Sequence, residues 1–172
     1  TVVGKTAGAV TIADAKAGHA TDANTITTVI LKNAGAAIVK SNALSTLNLE
    51  GTLVTVDASN ATGTGVTTLA LNLKGAKSTG AVTADAEVTT LNVNSSTTAS
   101  TLATLTAAGA TAINISGDKA LTVSTLTAGA ANKVITVTNT AGVTIGNALA
   151  TDVTFTGGAG ADSVIVGATT KT

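Results

Sequence analysis

One short pattern recurs along the whole chain and constrains its fold more than any other feature. An aliphatic, a polar and an aliphatic residue follow one another, and a turn residue such as Gly, Asn or Ser comes shortly afterwards. Successive copies lie about 18 to 24 residues apart, which is within the period range of repeat architectures. The first aliphatic residues of the copies are Val29, Leu47, Leu71, Leu91, Ile113, Ile135 and Val153.

A second strand pattern lies between successive copies of the first. It occurs at residues 9–12, 36–39, 53–56, 80–83, 120–123, 142–145 and 163–166. Both patterns alternate with period two and contain many β-branched residues, which favours strands over helices. Each repeat is therefore predicted to form a strand, a turn, a second strand and a longer turn.

These repeats predict an all-β fold, a parallel β-solenoid of about eight short coils. One repeat cannot bury its own apolar face, so neighbouring repeats must stack on each other. We expect residues 1–172 to form a single module that is a slice of a larger domain. The residues expected to point inward are Leu47, Leu49, Leu91, Val93, Ile113, Ile115, Ile135 and Val137. Those expected to point outward are Asn48, Asn72, Asn92, Asn114, Thr136 and Thr154.

Two alternatives to the solenoid remain open from the sequence. Regularly spaced strands are also typical of a β-sandwich. Helices are arguable in two segments: Ala99–Ala110 places Leu102 and Leu105 three residues apart, and Ile12–Asn24 has no clear period. The many Thr and Gly residues lower helix propensity in both segments.

Composition excludes several classes of function. Nine Lys residues balance nine acidic residues and Arg is absent, so no basic surface is expected to attract nucleic acid. Phe155 is the only aromatic residue, which leaves no stacking platform for RNA bases. The absence of Cys rules out disulfides and thiolate metal sites. No apolar run approaches the roughly 18 residues of a membrane-spanning helix, so membrane insertion is not expected.

Catalysis finds little support in the sequence. His19 is the only His, and no nucleophile elbow lies near it, so we interpret it as a surface residue of a loop. The glycine-rich segment near the C-terminus lacks the Gly-Lys-Ser/Thr ending of a phosphate loop. We therefore expect the chain not to be an enzyme.

That glycine-rich segment, residues 157–167, reads GGAGADSVIVG. It matches the calcium-binding nonapeptide G-G-x-G-x-D-x-U-x, in which U is a large apolar residue. Calcium is a hard cation that takes six to eight oxygen ligands. The ligands predicted here are the backbone carbonyls of Gly157, Gly158, Ala159 and Gly160 and the carboxylate of Asp162. One such turn supplies about half of a coordination sphere, and a plain glycine-rich turn is the alternative interpretation.

Three other acidic residues are weaker calcium candidates. Asp85 and Asp118 lie in predicted turns, and Asp152 precedes the glycine-rich segment. An isolated Asp in a turn is more often a solvated corner or a cap on the backbone.

Several segments resemble a known family. They are GAVTIADA (residues 8–15), TLNV (90–93), TLATLTAAGATAINISGD (101–118) and VTFTGGAGADSVIVGATTK (153–171). In this order they resemble the RTX-type calcium-dependent bacterial surface-layer (S-layer) proteins of the Caulobacter kind. Of the family's calcium motif, Gly157, Gly158, Gly160, Asp162 and Val164 match residue for residue.

The resemblance implies a structural role outside the cell. Such proteins are exported by type I secretion and self-assemble into a two-dimensional lattice, and Ca²⁺ drives the assembly. They bind lipopolysaccharide through a separate domain that is not in this chain. Two alternatives are a stalk segment of a large calcium-dependent RTX adhesin and the repeat domain of a secreted RTX hydrolase. The hydrolase would need a catalytic domain outside this chain.

Overall fold

The computed structural model describes residues 2–3, 8–17, 24–59, 64–129, 134–150 and 152–167, with only the backbone of 2–3. This part of the chain contains strands and no helix. The strands are β1 (Val2–Val3), β2 (Val10–Ala13), β3 (Thr28–Lys32), β4 (Ala36–Lys40), β5 (Thr46–Leu53), β6 (Thr55–Asp57), β7 (Thr68–Thr83), β8 (Thr90–Ser96), β9 (Ser100–Ala107), β10 (Ala112–Gly117), β11 (Leu121–Ala128), β12 (Val134–Val137), β13 (Val143–Leu149), β14 (Thr154–Thr156) and β15 (Ser163–Val166).

The strands stack into two parallel ladders. The first ladder runs through β1, β3, β5, the first half of β7, β8, β10, β12 and β14. The second runs through β2, β4, β6, the second half of β7, β9, β11, β13 and β15. Between the two ends of the described ladders, each strand therefore pairs with strands of the turns before and after it, which confirms the predicted parallel β-solenoid.

The solenoid has about six turns, slightly fewer than the about eight coils predicted. A turn is the path from one strand to the next strand of its ladder. After the two-residue strand β1, the first ladder takes six such steps, from β3 to β14.

The interior is a stack of small aliphatic side chains. All eight residues predicted to point inward are buried, and all six predicted to point outward are half-buried or exposed. Leu31, Leu49 and Leu73 lie above one another on successive turns, and each is 0% exposed. Strand alternation produces this separation of faces, because every second side chain points to the same side of the sheet.

The register of two steps in the first ladder differs from the sequence alignment of the repeats. Leu71 pairs with Val93 rather than with Leu91, and Ile135 pairs with Phe155 rather than with Val153. Both differences are slips of two residues, which keep each side chain on the same face of the sheet. The alternating pattern therefore predicts which face of the sheet a residue occupies. It does not predict which residue of the neighbouring strand pairs with it.

The helix considered at Ala99–Ala110 is wrong, because this segment contains β9. Leu102 and Leu105 both point inward although they are three residues apart. The pairing of β7 with β9 shifts register between Ser78 and Ala81, which is the signature of a β-bulge. The extra residue of this bulge lies on β7, and the three-residue spacing of β9 recurs in register on β11, where Val123 and Leu126 pair with Leu102 and Leu105. A spacing of three between inward residues of a strand imitates that of a helix. In the second arguable segment, Ile12 lies in β2, and residues 18–23 lie outside the described residues.

Candidate functional site

The predicted calcium turn joins β14 to β15, so it lies at the corner between the two ladders of the last described turn. Gly157, Gly158 and Ala159 are exposed, whereas Gly160 and Asp162 are half-buried. Val164, the apolar position of the motif, follows on β15 opposite the buried Ile145 and is partly buried against the core.

The glycines are required by the close approach of this corner to the turn before it. A Cβ on Gly158 would lie 2.8 Å from the carbonyl oxygen of Val137, and one on Gly160 would lie 2.2 Å from the backbone nitrogen of Gly142. These neighbours are backbone atoms, which cannot rotate away as a side chain could. Contact between successive turns therefore explains these two positions of the motif.

Asp162 connects its own turn to the preceding one. Its Oδ2 accepts a hydrogen bond from the Gly158 N–H at 2.8 Å, and its Oδ1 accepts one from the Val143 N–H at 2.9 Å. Val143 begins β13, so the carboxylate joins the last corner to the preceding coil. Bonds of this kind, from a backbone N–H to a carboxylate, are stronger than those between neutral groups.

The residue types at this corner fit half of a calcium site. A carboxylate has about four lone-pair positions, so Asp162 retains acceptor capacity beyond the two hydrogen bonds that it makes. The adjacent glycine-rich backbone carries carbonyl oxygens, and Ca²⁺ binds oxygen ligands of both kinds. Within the described ranges, no group of three or more His, Cys, Asp or Glu side chains could hold a metal ion together.

The weaker candidates lie at other places in the fold. Asp118 follows β10 and forms an ion pair with Lys119 at 2.9 Å, and the hydrogen bond and charge of Lys119 lower the pKa of Asp118. Asp85 lies between β7 and β8, where its Oδ1 accepts a hydrogen bond from the Glu87 N–H at 3.0 Å. These contacts resemble ordinary turn structure.

Asp152 lies at the far end of β14 from Asp162. The two residues are near each other in sequence, which favoured Asp152 as an additional ligand. The strand Thr154–Thr156 separates them, and three extended residues span roughly 10 Å. Asp152 therefore belongs to the turn that enters β14, and Asp162 to the turn that leaves it.

Asn139 is a residue of this region that sequence reasoning did not single out. It is 0% exposed, and its Oδ1 accepts hydrogen bonds from the backbone N–H groups of Ala141 and Gly142. Its Nδ2 donates to the carbonyl oxygens of Lys119, at 2.8 Å, and Ser116, at 3.3 Å. Asn139 therefore joins its corner to the preceding one, as Asp162 does one turn later. The sequence contained a signal for this residue. Asn139 lies two residues after the inward Val137, which by strand alternation places the Asn139 side chain on the inward side at the start of a corner.

His19 lies outside the described residues. The part of the chain that the structure describes contains no helix of the length and apolarity needed to cross a bilayer. A scan against known protein families found none that matches the chain, and a search of curated proteins found none similar to it.

Proposed function

We propose that this chain is a non-catalytic structural module, a slice of the β-solenoid of a calcium-stabilised bacterial surface-layer lattice. One observation carries the proposal: the Gly-Asp turn lies at a solenoid corner, where Asp162 connects two successive coils. A ligand of that carboxylate would act on the contact between coils, which is where a lattice protein would need its stability to depend on calcium.

The residues of this corner would have separate roles. Asp162 would supply the carboxylate, and Gly157, Gly158, Ala159 and Gly160 would supply backbone carbonyl oxygens. Bound Ca²⁺ would neutralise the carboxylate and link the oxygens of neighbouring turns. Val164 anchors the following strand in the core, which fixes the position of the turn relative to the solenoid axis.

The proposed partner is the same protein in a planar lattice on the outside of the cell. Type I secretion of the parent protein and attachment to lipopolysaccharide through a different domain belong to the same proposal, and both rest on the resemblance in sequence. A stalk segment of a calcium-dependent adhesin would use the same solenoid as a rod without lateral contacts. Lateral self-association is therefore the property that separates these two functions.

The test is light-scattering mass as a function of protein concentration, first in millimolar calcium and then in chelator. We expect calcium to increase the mass beyond that measured in chelator, and electron microscopy to show planar growth. Asp162→Asn should abolish the calcium-dependent part of the increase. Asp118→Asn is the matched control, because Asp118 is also a corner residue and its carboxylate is paired with Lys119.

Three results would contradict the proposal in different ways. Identical mass curves in calcium and in chelator would remove calcium from the function of this chain. An equal loss in Asp118→Asn would show that a general change of charge is responsible. Calcium-dependent stiffening of a rod that never associates laterally would favour the adhesin stalk.

A further inference from the structure

The two corners of each described coil lie at opposite edges of the solenoid. The chain runs along the first ladder, turns, returns along the second ladder and turns again, and the inward side chains of both ladders form one core. Strand β7 passes one of these corners without interruption. It pairs in the first ladder as far as Lys74 and in the second ladder from Lys77 to Thr83. The coil of β7 therefore shows one edge at this bend and the opposite edge at the turn after Thr83.

Two lysines lie at the first of these edges. Lys74 and Lys77 flank the bend, and both side chains are exposed, whereas Ala76 between them is 0% exposed. In the part of the chain that the structure describes, neither lysine forms an ion pair. We call Lys74 and Lys77 the lysine edge. Its two ammonium groups are available to an acidic partner.

Two acidic residues lie at the opposite edge, in the turn of residues 84–89 that follows β7. Asp85 is half-buried and Glu87 is exposed. Asp85 Oδ1 accepts a hydrogen bond from the Glu87 N–H at 3.0 Å, and Glu87 Oε2 accepts one from the Gly65 N–H of the preceding corner. A carboxylate has about four lone-pair positions, so each of these groups retains acceptor capacity. We call Asp85 and Glu87 the acid edge, and within the described ranges neither is paired with a lysine.

The charges on neighbouring coils leave this difference between the edges in place. On the lysine side, Lys32 and Glu50 pair with each other at 2.5 Å and add no net charge. On the acid side, Asp57 adds a carboxylate one coil before the end of β7. Lys40 lies on the same side but belongs to β4, two strands from β7 in the second ladder, which is roughly 10 Å. At that distance its charge is largely screened at physiological salt.

These edges stay exposed however long the solenoid is. In the first ladder β7 lies between β5 and β8, and in the second it lies between β6 and β9. Further coils would stack on the ends of the rod, along its axis, and would not cover the sides of a coil in the middle. The formal net charge of the chain is 0, so no overall repulsion opposes contact between copies.

We propose that the lysine edge binds the acid edge of a second copy of this chain. Both edges belong to one coil, so a neighbour displaced sideways without rotation brings its carboxylates level with the lysines. The same contact repeats without closing, which produces a flat row of parallel rods. The proposal rests on the proposed lattice function, for which it supplies a lateral contact, but the contact itself requires no calcium.

The first experiment is sedimentation equilibrium of the 172-residue chain in chelator, at about 0.01 M and about 1 M salt. We expect the mass to rise with protein concentration at low salt and much less at high salt, because the screening length falls from about 30 Å to about 3 Å. The double variant Lys74→Glu/Lys77→Glu should weaken association at low salt at least about tenfold, since repulsion replaces attraction.

The matched control is the double variant Lys16→Glu/Lys40→Glu. It changes the net charge by the same amount, but both lysines lie on the side of the acid edge, at earlier coils. Removing positive charge there should not weaken association. An equal loss in the control would show that net charge, and not the lysine edge, is responsible.

A charge swap tests the pairing of the two edges directly. Asp85→Lys/Glu87→Lys should weaken association as Lys74→Glu/Lys77→Glu does. The quadruple variant, with both edges reversed, should regain the association of the wild type, because each edge again faces its opposite. Circular dichroism shows whether each variant keeps the β-solenoid. Lys77→Glu with Glu87→Lys is a milder swap if the quadruple variant is unfolded.

Two results besides a loss in the control would overturn the proposal. A wild-type chain that stays monomeric at low salt would assign the lysine edge to a partner other than this chain. Folded charge-swap variants that stay monomeric would show that the two edges do not bind each other. All variants retain Asp162, so the response to calcium can be measured in each. A calcium-dependent lattice unaffected by charge reversal would refute only the edge contact, and salt-sensitive rows that ignore calcium would refute only the calcium site.

Discussion

Gly117 provides the sharpest test of the corner geometry. It ends β10 with a φ of +116°, a backbone conformation that residues with a side chain rarely adopt. A Cβ at this position would lie 2.0 Å from the carbonyl oxygen of Ser95 and 2.8 Å from the Ser95 nitrogen. Ser95 is 0% exposed, and its carbonyl oxygen accepts a hydrogen bond from the Lys119 N–H at 3.2 Å. The space needed by a methyl group is therefore occupied by backbone of the previous turn.

We expect Gly117→Ala to lower the free energy of unfolding by about 2–6 kcal/mol. Strain at a residue with unfavourable φ contributes about 1–3 kcal/mol, and displacement of packed neighbours contributes about 1–3 kcal/mol more. Gly8→Ala is the control, because a Cβ on Gly8 would have nothing within 4 Å. The same substitution there should stabilise the protein by about 0.4–1 kcal/mol through the entropy of the unfolded chain.

The assay is urea denaturation followed by circular dichroism, carried out in chelator at a protein concentration where the chain is monomeric. The free energies are comparable only if the slope with urea stays constant between variants. A loss of less than about 1 kcal/mol in Gly117→Ala would refute the reasoning, since the strand and corner could not then be as close as described. Equal changes in the free energy of unfolding for Gly117→Ala and Gly8→Ala would indicate that both substitutions act on the unfolded chain and not on the corner.

Two further predictions concern buried polar groups. The backbone N–H groups of Thr25, Lys16 and Ile26 donate to Asp14 and lower its pKa from 3.8 to about 2. Because the folded pKa is the lower one, the resulting stability is present above pH 3.8 and is lost as the pH falls through about 2. Asp14→Asn should reduce the change of the urea midpoint with pH between about pH 2 and 3.8. A variant whose urea midpoint falls with acid as steeply as that of the wild type would be inconsistent with this contribution of Asp14 to stability. Asn139→Ala removes all four hydrogen bonds of this buried side chain to backbone groups and should cost about 2–5 kcal/mol in urea denaturation. A change within 0.5 kcal/mol, the usual effect of a surface substitution, would contradict this.

The fold class and the inward residues could be predicted from the sequence because both depend on alternation alone. Leu91 and Ile113 point inward for the same reason that their neighbours Asn92 and Asn114 point outward. The amides even stack, since Asn114 Nδ2 donates to Asn92 Oδ1 at 2.8 Å. The register between neighbouring strands could not be predicted from alternation, because a slip of two residues leaves every side chain on the same face of the sheet. The strand β9 was ambiguous for a different reason, since the three-residue spacing of its inward Leu102 and Leu105 is also that of a helix.

The corners were the least predictable part, because their hydrogen bonds join residues about 20 positions apart. Asn139 bonds to Lys119, and Asp162 bonds to Val143. Such partners are known only once the stacking of turns is known, whereas a strand is recognisable from its own residues. The turn at residues 157–167 was recognised as a motif, but the motif does not specify which neighbouring backbone the carboxylate would contact.

The glycines and the Asp of the calcium motif could serve either to pack successive turns at this corner or to bind calcium. Only the charge of Asp162 distinguishes these two explanations. Gly158 and Gly160 are needed for contact between turns whether or not an ion is bound, so they do not distinguish the two. Asp162 also has a structural role, because each of its two oxygens accepts a backbone N–H bond, and the single oxygen of an uncharged amide could accept only one of these two bonds in the same geometry. Calcium binding needs the carboxylate itself. Asp162→Asn should therefore cost about 1–3 kcal/mol in chelator, because its amide nitrogen cannot accept one of the two N–H bonds, and it should remove any stabilisation by calcium. If the variant were stabilised by calcium as strongly as the wild type, the motif at this corner would be a means of packing turns and not a metal site.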